Sequence, residues 1–138
     1  MSEKASWSRR WLRRLHLLRA FLWSWLRRPE RALRAFEAVD ALGGLEPPWG
    51  TAVLALRGRI LDVLGRKEEA EAALVAAVAL EPRSPEPHRA YAEMLMGWGR
   101  LEDAGRELRL AKELGPPDAR LELALAQYAE RTRGKGPA

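Results

Sequence analysis

The chain is 138 residues long, with 47% hydrophobic and 31% charged residues, a balance that suits one modest soluble domain able to bury its own core. It has no Cys and two His, His16 and His88. That excludes disulfides, thiolate catalysis, Cys-based zinc sites and a His-rich metal cluster, and no metal or cofactor is expected. The net charge of +5 is uneven: residues 1–34 carry ten basic residues against Glu3 and Glu30, so a basic head precedes a mildly acidic body.

The first predicted element is WSRRWLRRLHLLRAFLWSWLRR, Trp7 to Arg28, with four of the six Trp and no acid. Wound as a helix, Trp7, Trp11, Leu15, Leu18, Leu22 and Trp25 form one apolar stripe, with Arg9, Arg13, His16 and Arg27 opposite. Leu12, Leu17 and Trp23 lie off the stripe, so the helix carries surplus apolar surface. A membrane span needs about 20 mostly apolar residues, and His16 and Arg19 interrupt this one. A cleaved signal peptide is not expected either, because the run lacks a small-residue cleavage site and continues into RRPERALR. Three uses stay open. The stripe packs on the next helix as part of a first hairpin, or it lies on an anionic membrane surface, or it docks on an acidic or apolar protein partner. Nucleic acid is not expected, since no reading motif is present and the Trp sit on the apolar stripe rather than among the Arg. The candidate basic and aromatic surface is Trp7, Arg9, Arg10, Trp11, Arg13, Arg14 and Trp23.

PERALRAFEAVDALGG follows as a second helix, opened by Pro29 and closed by Gly43-Gly44. After the loop GGLEPPWG, residues 51–84 and 85–118 align without a gap at a step of 34. Gly58 meets Ala92, Leu61 meets Leu95, and Gly65-Arg66 meets Gly99-Arg100. Ala70, Leu74, Ala77 and Pro82 meet Ala104, Leu108, Ala111 and Pro116. Each unit reads as two helices: a small residue where a neighbour approaches, a Gly that ends the first helix, and a Pro that stops the second.

These residues resemble the tetratricopeptide repeat (TPR) family, whose helix–turn–helix units repeat every 34 residues. The departures concern packing: Leu54 and His88 stand where the family has an early aromatic, Leu61 and Leu95 at the later one, and Leu74 and Leu108 in place of Phe. The resemblance implies an all-α, TPR-like right-handed superhelix of about three helix–turn–helix hairpins plus a C-terminal capping helix, as one domain over residues 1–138. Residues 5–46 form a degenerate first hairpin in which Ala20, Ala32 and Phe36 take the repeat positions. The loop after it is about four residues too long for the family's spacing. Residues 118–133, DARLELALAQYAERTR, form the cap, and GKGPA is expected to fray.

The resemblance also implies a concave face lined by the first helix of each hairpin. Projected onto this chain, it selects Ala55, Arg59 and Asp62, then Arg89, Glu93 and Met96, then Leu123 and Gln127. With no Asn and no groove Lys, the family mode that grips a terminal carboxylate is not expected. Catalysis is not expected: His88 reads as packing or surface, Ser24 and Ser84 lack a nucleophile's setting, and Glu68-Glu69 and Glu102-Asp103 complement helix dipoles. Met94, Met96 and Trp98 read as core or as groove, since Met also lines adaptable binding surfaces, with core favoured. The expected function is a non-enzymatic, cytoplasmic scaffold or adaptor that binds a segment of a partner protein through the concave face, with no small-molecule substrate. The alternative is a protein peripheral to the membrane, or an accessory subunit of a larger complex, docked through the N-terminal helix.

Overall fold

The computed structural model describes residues 3–47 and 49–134, with side chains from residue 6 onward; residues 135–138 of the expected frayed end lie outside the described residues. Among the described residues there are seven α-helices and no strand. They are α1 (Glu3–Trp25), α2 (Pro29–Ala41), α3 (Trp49–Val63), α4 (Lys67–Leu80), α5 (Pro85–Gly97), α6 (Leu101–Glu113) and α7 (Ala119–Arg133). The chain divides into two compact units, residues 1–73 and 74–138, with the division inside α4.

The hairpin turns repeat as the sequence does. Gly65 and Gly99 adopt left-handed backbone at φ 77° and 79°. In each turn the next N–H reaches back to the helix it leaves: Arg66 donates to the Leu61 carbonyl and Arg100 to the Leu95 carbonyl, both at 2.9 Å. This closure satisfies carbonyls that a helix end would otherwise leave open. The following helix starts at Lys67 and at Leu101. The first hairpin closes the same way, with Arg28 donating to the Trp23 carbonyl at 2.8 Å. There the left-handed residue is Arg27, at φ 53°.

Burial follows the repeat in all three hairpins. Ala20, Gly58 and Ala92 are buried. So are Ala32, Ala70 and Ala104, and the large apolar residues Phe36, Leu74 and Leu108. In the first unit Phe21 meets Phe36 edge to face, with ring centroids 6.2 Å apart. In the second, Ala92, Leu95, Met96, Ala104, Leu108, Ala111, Leu121 and Ala124 form one cluster, flanked by Tyr91, Trp98, Leu101, Leu125 and Tyr128. Gly105 admits Tyr128 closely: a Cβ there would overlap the tyrosine hydroxyl and lie 2.9 Å from its Cζ. His88 is buried, with Nδ1 2.7 Å from Glu107 Oε2 and Nε2 3.3 Å from the Pro82 carbonyl. A polar pair thus fills the place where the family puts an aromatic ring.

The capping helix α7 is held at both ends. Asp118 caps its start, accepting the Leu121 N–H at 2.8 Å. Near its end Arg131 donates to the Met96 carbonyl at the end of α5. Leu121 and Ala124 enter the core of the second unit, while Glu122, Leu123, Gln127 and Glu130 face out.

The face of α1 that packs is not the one that the apolar stripe suggested. Arg13, His16, Leu17, Ala20, Trp23 and Ser24 are the residues withdrawn from solvent. The stripe points away: Trp11 is 65% exposed, Leu18 69% and Trp25 80%. The reason is size. Two helices approach closely only where side chains are small, and Ala20 supplies that point opposite a helix that also presents Ala32 and Ala35. Hydrophobicity alone marks the larger stripe, yet those side chains would hold α2 too far off.

Candidate functional site

In the first unit, three features of α1 stand out. The outward face carries the stripe, with the Arg9, Arg10 and Arg14 side chains also exposed. Arg10 lies 6.0 Å from the Trp7 ring and donates to Ser6. Two residues expected on this surface are used elsewhere. Arg13 donates to the Gly44 carbonyl at 3.0 Å and so clasps the long loop, and Trp23 turns inward with the Arg31 guanidinium 4.7 Å over its ring.

Between α1 and α2 opens a cleft of about 330 Å³ lined by His16, Arg19, Trp23, Arg31, Arg34, Ala35 and Ala38. Its charge is entirely basic. Neither Arg19, Arg31 nor Arg34 forms an ion pair among the described residues. A second cleft, of about 420 Å³, lies between the C-terminal end of α1, the start of α2 and α3. Leu56, Ile60 and Val63 give it an apolar wall, Arg27 and Arg59 bring charge, and Ser24 and Pro29 complete the lining. Ser24 Oγ is buried with no hydrogen-bond partner among the described residues.

The projected groove residues separate when placed in the structure. In the first unit Arg59 is exposed and lines the apolar cleft, while Ala55 and Asp62 are half-buried outside it. In the second unit Met96 belongs to the core, so its place in a groove is a correction. Its carbonyl accepts a hydrogen bond from Arg131 of α7. Arg89 is buried and ion-paired with Glu86 and Glu93 on its own helix. Burial pulls its pKa down, but the hydrogen bonds to Glu86 and Glu93 outweigh it and hold it above the ordinary arginine value. Arg89 and Glu93 are therefore brought together, but as partners of each other. Leu123 and Gln127 are exposed on α7.

A smaller cleft of about 170 Å³ joins Pro85, Glu86 and Arg89 to Pro116, Asp118 and Leu121. The Leu121 N–H, with help from the Arg89 charge, holds the Asp118 carboxyl below the usual aspartate value. Among the described residues no group of three His, Asp or Glu is placed to hold a metal ion, and no helix is long and apolar enough to cross a membrane.

Reading the sequence alone missed Ser24, Arg27, Leu56, Arg19, Arg31 and Arg34. A period-34 alignment finds positions within a repeat, whereas both clefts depend on which face of α1 turns to its neighbours.

Comparison with solved structures places the architecture. The chain is similar to the TPR domain of Arabidopsis OM64, with a TM-score of 0.71 over 86% of this chain and 95% of that one, at 13% sequence identity. No protein-family model and no curated protein matches the sequence. The likeness is one of fold: this is an all-α, tetratricopeptide-repeat-like helical repeat.

Proposed function

We propose that the protein is a non-enzymatic scaffold that holds a segment of a partner protein on the first helices of its first two hairpins, α1 and α3. The apolar cleft between α1 and α3 carries this reading. It joins an apolar wall to two guanidinium groups and to a buried hydroxyl that has no hydrogen-bond partner among the described residues. Such a mixture suits an apolar anchor flanked by a carboxylate, on a helix or loop of the partner, with Ser24 Oγ taking a backbone hydrogen bond. Exposed Arg59 lies in the cleft and is also a position that the resemblance to the TPR family assigns to a groove.

The test is capture of partners from the native source by the whole chain, followed by binding measurements on each. Leu56→Asp is expected to weaken the principal partner at least tenfold by placing an unpaired charge in the apolar wall. Arg59→Glu is expected to slow association and to reduce its salt dependence. Full binding by both variants would defeat the proposal. Variants of Leu123 and Gln127 on α7 are expected to bind as the parent does.

A further inference from the structure

We infer that α1 lies along an anionic phospholipid surface, with its outward stripe inserted and the basic cleft beside it receiving a lipid headgroup. The stripe is free because α2 is packed on the opposite side of the helix. It runs from Trp7 to Trp25, about 27 Å at 1.5 Å per residue. At 100° per residue Trp7, Trp11, Leu18, Leu22 and Trp25 fall within one narrow sector. Arg10 and Arg14 border it on one side, and Arg19 on the other. A convex ridge of Trp and Leu with cations along both edges matches a membrane interface, where indole and leucine enter the acyl boundary and guanidinium groups stay among the phosphates.

The cleft supplies the second observation. Arg19 stands between the stripe and the cleft residues His16 and Trp23, so insertion of the stripe brings the cleft to headgroup level. Arg31 is pre-oriented there by the Trp23 ring, and Arg34 stands one turn further along α2. Three guanidinium groups with no carboxylate partner among the described residues favour a phosphate.

Charge selects this occupant over a second copy of the chain. Residues 1–34 hold ten basic and two acidic residues, so two stripes facing each other would bring two basic heads together. The anionic leaflet attracts the same head through each Arg that comes near the surface. The inference does not depend on the partner cleft, which lies on another side of α1.

Flotation of the full chain with vesicles tests it, since floating vesicles separate bound protein from aggregates. With about 30% phosphatidylserine in phosphatidylcholine and about 0.1 M salt, the chain is expected to float and its tryptophan emission to shift blue. Pure phosphatidylcholine is expected to retain far less. Trp11→Glu/Leu18→Glu changes two exposed side chains, so helicity and melting should persist while binding falls roughly tenfold or more. Arg19→Glu/Arg34→Glu is expected to reduce the preference for phosphatidylserine severalfold. No flotation with anionic vesicles, or equal flotation with both compositions, would overturn the inference. So would dependence of self-association or of partner binding on the stripe in a chain that ignores vesicles, which would make the stripe a protein interface. Displacement by millimolar inorganic phosphate at constant ionic strength would give the cleft to a free anion and overturn the headgroup assignment.

Discussion

Arg27 occupies the left-handed position that Gly65 and Gly99 fill in the later turns. A side chain there crowds the following carbonyl and costs about 1 kcal/mol relative to glycine. Arg27→Gly is therefore expected to stabilise the chain by about 1 kcal/mol, read as a higher denaturant midpoint. Because Arg27 also lines the apolar cleft, the same change should weaken an acidic partner. Asp118 makes a different prediction. Its carboxyl is held low by the Leu121 N–H, so the stabilisation it gives α7 is full above the ordinary aspartate value. It is lost as pH falls through the lower, folded value. The Leu121 amide shift is expected to report that titration below the aspartate norm, and in Asp118→Asn to stay flat. An amide shift moving near the ordinary value would contradict the cap.

At the scale of elements, size and hydrophobicity make opposite demands on α1. Ala20→Leu, at the close approach to α2, is expected to destabilise by about 2 kcal/mol through overpacking. Leu18→Gln, on the outward stripe, should change stability by less than about 0.5 kcal/mol. Thermal or denaturant melts of the two variants distinguish the faces directly, and a larger loss at Leu18 would restore the stripe as core. Much of the fold was legible beforehand because the period of 34 locates residues by size: Ala20, Ala32 and Phe36 are buried as the degenerate hairpin required. The packed side of α1 was not legible from its hydrophobic periodicity, since that helix carries apolar residues all round and only one small one in its C-terminal half. Met96 and Arg89 show a related limit. A groove pattern marks helix positions, but whether a side chain there faces a partner or the core depends on its neighbours in space.

At the scale of the molecule, repeat proteins hold together through contacts between neighbours. The cluster joining α5, α6 and α7 is built within residues 91–128, with α7 tied to α5 by Arg131. A fragment of residues 85–134 is expected to be helical and to melt cooperatively below the whole chain, as a domain of so few residues should. Circular dichroism and amide dispersion check it, and a fragment without dispersed amides would show that the cluster needs the preceding helices. The step of the repeat is kept from Gly65 to Gly99 and broken only after the first hairpin, where Arg13 secures the longer loop.

The arginines along the edges of the outward stripe also bear on what happens when nothing covers it. A ridge of bare indoles would drive molecules to cluster as their concentration rises. Like charges beside that ridge keep copies apart while leaving it open to an oppositely charged surface. Neutralising Arg10, Arg14 and Arg19 to glutamine should thus limit how concentrated the isolated protein can become before it precipitates, so the cations guard solubility as well as steering attachment.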